Sequence, residues 1–154
     1  MIEVPFYSVE DKRDNTKLLQ DLAYAKSGDA CVDVRISEDT IIEPNETKLI
    51  GTGLYTAVPV GWEIQLRPRS GLSAKTGLIF KNTLGTIDSG YRGEIKIVFH
   101  NLGEDPVELE YGSRVAQIKV SKVPMVEFTP VKDLNELCSI GVDRCGGFNS
   151  TGLK

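Results

Sequence analysis

With 154 residues, 40% of them apolar, the chain can bury one real core, and a single domain is the expectation. Its net charge of −4 excludes broad contact with nucleic-acid backbone, so any phosphate ligand must meet a local basic cluster. No run is apolar enough for a membrane span, Met1-Ile2-Glu3-Val4-Pro5-Phe6 lacks the pattern of a signal peptide, and Cys31, Cys138 and Cys145 form neither a Cys-x-x-Cys pair nor an even set. The expectation is therefore a soluble, cytoplasmic chain with reduced thiols, bound to no membrane and no nucleic acid.

Residues 1–26 open with a short strand and turn polar through Glu10-Asp11-Lys12-Arg13-Asp14-Asn15. Leu18, Leu19 and Leu22 lie at helical spacing and predict one helical turn packed on the body. Cys31, Asp33 and Arg35 then alternate with Val32, Val34 and Ile36, a strand whose polar side carries Asp33. After a turn at Glu43-Pro44-Asn45-Glu46, residues 47–58 are β-rich, with Gly51 and Gly53 suggesting a bulge. Residues 63–67 alternate again, placing Ile64 and Leu66 inward. Residues 72–76 have helical character, with Ser70 as cap and Gly77 as stop.

Residues 82–97 read as a β-hairpin, because Asp88-Ser89-Gly90 is turn chemistry and Glu94, Ile95, Lys96 and Ile97 alternate. Its tip carries Asp88, Tyr91 and Arg92: a base, a flat ring to pack on a sugar, and an anion clamp. Strands are expected around residues 78–81, 94–100, 107–110 and 114–120, and short strands at this spacing predict a sandwich or barrel. Ile97, Val98 and Phe99 are apolar in succession, so both faces of that strand should lose water, either to a neighbouring subunit or to a cover within the chain. The tail, residues 143–154, is rich in glycine and hydroxyl side chains. Such backbone can wrap phosphates, and Phe148 can stack on a base, while a disordered terminus is the plain alternative.

Taken in order, Gly28-Asp29-Ala30-Cys31-Val32-Asp33-Val34, Arg67-Pro68-Arg69-Ser70-Gly71-Leu72-Ser73, Gly85-Thr86-Ile87-Asp88-Ser89-Gly90-Tyr91-Arg92-Gly93, Gly112-Ser113-Arg114-Val115-Ala116-Gln117 and the tail resemble the motifs of the homotrimeric dUTPases, the deoxyuridine triphosphate nucleotidohydrolases. The resemblance implies an all-β, jelly-roll-like β-clip or β-barrel with one short helix. It implies a single domain over residues 1–142, of which 1–26 are an N-terminal strand and polar extension, followed by a tail that closes a neighbour's active site in a homotrimer. The implied activity is hydrolysis of dUTP to dUMP and pyrophosphate with Mg²⁺, Asp88 activating the water that attacks the α-phosphorus.

The same resemblance implies that Tyr91 lies under the deoxyribose and leaves no room for a 2′-hydroxyl, and that Asn82 and the backbone near Lys96 read the uracil edge. Arg69, Ser70, Gly71 and Gln117 would grip phosphates, and Asp33 would touch the Mg²⁺ hydration shell. Phe148 would cover the uracil, with Ser150 and Thr151 on the terminal phosphates. The tail departs from the family, because Arg144 is followed by Cys145 alone before Gly146-Gly147 and Asn149 stands where a glycine is usual. Arg144 then reaches the γ-phosphate from a shifted position or misses it. Two alternatives remain beside the hydrolase: a dUTP-binding regulator, and a dCTP deaminase of the same fold, which is disfavoured because Val98 occupies the place of its proton-transferring glutamate.

Overall fold

The computed structural model describes residues 2–142, so the expectations on Arg144, Cys145, Phe148, Asn149, Ser150 and Thr151 fall outside the described residues. In chain order the elements are β1 (Phe6–Ser8), β2 (Glu10–Asp11), β3 (Asp14–Leu18), β4 (Val32–Arg35), β5 (Thr40–Ile42), β6 (Thr47–Gly51), β7 (Leu54–Thr56), β8 (Trp62–Pro68), α1 (Ser70–Lys75), β9 (Leu78–Phe80), β10 (Gly85–Ile87), β11 (Lys96–Asn101), β12 (Val107–Leu109), β13 (Arg114–Lys122) and α2 (Leu134–Cys138). The strands pair in the orders β10-β8-β13-β4 and β6-β11-β9, with two-stranded pairs β1-β7, β12-β5 and β2-β3. Every pairing is antiparallel. This is the expected all-β architecture of jelly-roll type. The chain divides after Pro124 into two compact units, the second of which contains α2.

Alternation builds the core of the first unit. Val32 and Val34 of β4, Ile64 and Leu66 of β8, and Ile97 and Phe99 of β11 point inward, and their neighbours Asp33, Gln65 and Val98 are only half-buried. Phe80 meets Phe99 edge to face, with ring centres 5.1 Å apart. Each fully buried aliphatic side chain of this kind contributes roughly 1.5–3 kcal/mol.

Four local expectations are corrected. Residues 82–97 are not a hairpin, because β10 pairs with β8 whereas β11 pairs with β6 and β9. The chain changes sheet because the Ile95 N–H donates to the Leu54 carbonyl at 2.8 Å and the Thr52 hydroxyl donates to the Ile95 carbonyl at 2.5 Å, which draws the segment towards the β6–β7 bend. Gly51 and Gly53 likewise mark a change of sheet rather than a bulge, with Gly53 at φ +62°.

The Leu18 to Leu22 segment forms no helical turn. The Leu19 N–H donates to the Val9 carbonyl, and the buried Gln20 amide donates to the Arg35 and Thr52 carbonyls while accepting the Arg35 N–H, so long-range bonds satisfy an extended backbone. In α1 the cap is Arg69, without a side-chain bond, and the stop is Thr76, whose N–H and hydroxyl both donate to the Leu72 carbonyl. Gly77 serves close packing instead, since a Cβ there would lie 2.1 Å from the Gly103 nitrogen. The second helix, α2, was not expected. Asp133 caps it by accepting the Glu136 N–H at 3.0 Å, and Asp133-x-x-Glu136 is a capping signal readable in the sequence.

Candidate active site

One cavity of about 220 Å³ opens between β8, β10 and the segment leading into β11, and Asn82, Tyr91 and Lys96 all line it. The backbone approaches this wall closely. Leu84 takes φ +62°, a left-handed conformation rare for a branched side chain, and a Cβ on Gly85 would lie 3.3 Å from that of Leu66. Tyr91 is pinned by its hydroxyl, which donates to the Glu94 carbonyl at 2.8 Å. Gly93 makes this reach possible, because a Cβ there would lie 2.6 Å from the Tyr91 oxygen. A fixed phenol ring at the edge of a small cavity suits packing against one face of a sugar.

Asp88 begins the turn that ends at Tyr91, whose N–H donates to the Asp88 carbonyl at 3.1 Å. Its carboxylate is exposed and has no hydrogen-bond partner among the described residues, so it is open to a water and a substrate. Arg92, the expected anion clamp, is exposed and engages the turn through one nitrogen. Its Nη1 donates to the Ser89 and Tyr91 carbonyls at 2.7 and 2.8 Å and braces the turn.

A second cluster forms around Asp33, which faces Gln117 across the β4–β13 ladder. Oδ1 accepts the Gln117 amide at 3.1 Å and lies 3.1 Å from Arg69 Nε, while Oδ2 is 3.3 Å from Arg114 Nη1. Arg69 Nη1 also donates to the Arg114 carbonyl at 2.7 Å, which fixes the loop after β8 against β13. Ser70 and Gly71 follow at the exposed start of α1, and a Cβ on Gly71 would meet nothing within 4 Å, so the backbone there is accessible. Cations and amide donors held on one carboxylate can equally bond phosphate oxygens.

Arg114 is the member the sequence reading missed. Strict alternation puts residues 114 and 117 on opposite faces, but the register shifts between Arg114 and Ala116, and that bulge turns both side chains towards Asp33. Within one chain the two clusters do not meet. Gly85 pairs with Leu66, Leu66 with Ile118 and Ile118 with Val32, so the β10 wall of the cavity stands three strand spacings, about 14 Å, from the strand of Asp33, and neither Asp33 nor Gln117 lines the cavity.

No group of His, Cys, Asp and Glu among the described residues could cage a metal ion. Asp33 alone, with both oxygens already accepting, fits a hydrated Mg²⁺ held mainly by its waters and by phosphates.

The dUTPase family model matches residues 19–151. A deoxyuridine 5′-triphosphate nucleotidohydrolase of Nocardia farcinica is 47% identical over 129 residues, covering 83% of this chain and 76% of that protein. One from Clostridium acetobutylicum is 40% identical over 144 residues, covering 93% and 94%. Among solved structures, a variant dUTPase of Staphylococcus bacteriophage 80alpha with dUpNHpp superposes at a TM-score of 0.82 with 21% identity, covering 99% of this chain and 100% of that one. A variant dUTPase from phage phi11 of S. aureus, described with a structural Mg(II) ion, gives 0.74 with 20% identity over 87% of this chain and 99% of that one. At such identities the structures speak for the fold alone.

Proposed function

The chain belongs to the dUTPase family and is a dUTP diphosphatase, and we propose that Asp88 takes the proton of the water that attacks the α-phosphorus, releasing dUMP and pyrophosphate. The observation that carries this reading is the four-residue turn in which an open carboxylate, Asp88, and a pinned cavity-lining ring, Tyr91, are joined by one backbone hydrogen bond of 3.1 Å. Asn82 and the backbone at Lys96 read the uracil edge from the same cavity. Arg69, Gln117 and the open backbone at Ser70 and Gly71 hold the phosphates. Arg144, Phe148, Ser150 and Thr151 of the tail cover the nucleotide.

Asp33 holds the hydration shell of Mg²⁺, which when bound neutralises charge on the phosphate oxygens. The active unit in this reading is a homotrimer, each catalytic domain spanning residues 1–142 and lending its tail, 143–154, to a neighbour. Three features support it. The nucleoside cavity and the Asp33 cluster are separate in one chain, Leu49 and Ile79 are exposed beside half-buried Val98 on the outer face of the β6-β11-β9 sheet, and Met125, Val126 and Phe128 are exposed. Cys31 and Cys138 are free thiols, which favours a cytoplasmic setting, and no helix of the described residues is long and apolar enough to cross a membrane. The deaminase alternative has no support, since Val98 lies within β11 opposite Leu49 and cannot move a proton.

Pyrophosphate release from dUTP, dCTP, dTTP and UTP with Mg²⁺, with ammonia assayed in parallel, tests the reading. Turnover of dUTP alone is expected. Silence on dUTP, or ammonia from dCTP, overturns it.

A further inference from the structure

Glu94 is none of the catalytic or binding groups named above, yet two hydrogen bonds and one longer ion pair converge on it. Its carbonyl accepts the Tyr91 hydroxyl at 2.8 Å, its Oε1 accepts the Gly53 N–H at 2.8 Å, and its Oε2 lies 3.6 Å from Lys96 Nζ. The side chain is mostly covered, with 21% of its surface in contact with solvent, and the residue lines the nucleoside cavity. Its neighbour Ile95 is bonded to Leu54 and Thr52, so the staple falls where the chain crosses from the β10 sheet to the β11 sheet.

The surroundings are shaped to receive this carboxylate. A Cβ on Gly51 would lie 2.7 Å from Glu94 Oε1 and 3.1 Å from Ser37 Oγ, so the side chain occupies the space that the missing Cβ leaves. Gly53 takes φ +62°, a left-handed turn that glycine adopts without strain, and its N–H meets the carboxylate. One wall of the pocket therefore hangs on this residue: the Tyr91 ring is held by the Glu94 backbone, and the Glu94 side chain is held in turn by the Gly53 N–H. Asp88 lies at the far end of the turn and makes no bond to Glu94.

We infer that Glu94 is a positioning residue for nucleoside discrimination, stapling the Tyr91 wall to the Gly53 N–H so that the ring stays close enough to the sugar to reject a 2′-hydroxyl. This rests on the dUTP reading above and assigns it a further residue. The reach of the acceptor to Gly53 matters in this account, and its charge does not. Glu94→Gln keeps an oxygen at the same reach, whereas Glu94→Asp keeps the charge one methylene short. Loss of one such bond at a specificity wall is worth about a tenfold change in a binding ratio.

The test compares kcat and KM for dUTP and UTP, and calorimetric affinities for dUMP and UMP, across wild type, Glu94→Gln, Glu94→Asp, Glu94→Ala and Gly51→Ala. Expected are a roughly tenfold loss of the dUTP-over-UTP and dUMP-over-UMP preferences in the Asp and Ala variants. That loss should be carried by KM rather than kcat, with the preferences rescued by Glu94→Gln. Gly51→Ala, pushing on the same oxygen, is expected to reproduce the loss and to add nothing to Glu94→Ala. Wild-type preferences in Glu94→Asp, a loss in Glu94→Gln equal to that in Glu94→Ala, or a fall confined to kcat would each overturn the inference. If Glu94→Ala does not fold, the Gln and Asp pair still decides. A wild-type protein that binds dUMP over UMP but releases no pyrophosphate from dUTP would sink the hydrolase reading and leave this comparison standing on binding alone.

Discussion

Arg69 Nε sits 3.1 Å from Asp33 Oδ1, the same oxygen that accepts the Gln117 amide at 3.1 Å. Groups expected to grip phosphates are thus gathered on the carboxylate expected to face Mg²⁺, which makes Asp33 the organiser of that end of the site. Asp33→Asn would put an amide donor against two cations and a second amide. We expect kcat/KM for dUTP to fall by about 10- to 100-fold, with a raised Mg²⁺ requirement. A Mg²⁺ titration that superposes on wild type would remove Asp33 from this role.

Asp88→Asn separates chemistry from binding. The carboxylate is exposed and has no hydrogen-bond partner among the described residues, so the substitution should leave the melting temperature where it is. Loss of a general base costs about 10²- to 10⁴-fold in kcat. The affinity for dUTP, measured by calorimetry, should stay within a few fold. Turnover at the wild-type rate would move the base to another residue.

The strands that build the core were legible because their alternation is local: Val32, Val34, Ile64, Leu66 and Ile118 announce their faces to any reader of the sequence. Pairing partners were not, since alternation at Glu94 to Ile97 marks a strand without saying which strand it joins, and the bonds that settle the matter come from Thr52 and Leu54. Arg114 was hidden by a bulge that alternation cannot show, and Glu94 was hidden because its partner Gly53 is 41 residues away. Leu19 and Gln20 misled for the same reason, as distant carbonyls hold them extended.

Gly77→Ala tests the packing behind α1. The added Cβ would lie 2.1 Å from the Gly103 nitrogen and 2.5 Å from its Cα, and backbone on both sides leaves nothing that can give way. A loss of about 3 kcal/mol or more is expected, at the upper end for overpacking. Gly71→Ala, which meets nothing within 4 Å, should unfold near the wild-type temperature. Thermal unfolding at a fixed protein concentration checks both, and equal melting temperatures for the two would contradict the packing account.

The N-terminal hairpin of β2 and β3 carries a pH-dependent clamp. Asp11 Oδ1 accepts Arg13 Nε and the Arg13 N–H at 2.9 Å each, and Oδ2 accepts Arg13 Nη2 at 2.7 Å. The side-chain bonds first, and the backbone bond after them, lower the Asp11 carboxyl from its ordinary 3.8 to about 2. The Lys12 ammonium and Arg13 guanidinium each lie 5.2 Å from the centre of the Tyr111 ring, and the Lys12 N–H donates to the Tyr111 hydroxyl at 2.8 Å. Because the folded carboxyl is depressed, its stabilisation is fully present above the unfolded value near 3.8 and is lost as pH falls through about 2. The near-ultraviolet signal of Tyr111 should therefore change between about pH 4 and pH 2. In Arg13→Ala the Asp11 carboxyl, followed by NMR, should titrate back near its ordinary value. An Asp11 that already titrates there in the wild type would show that the hairpin is held without this pair.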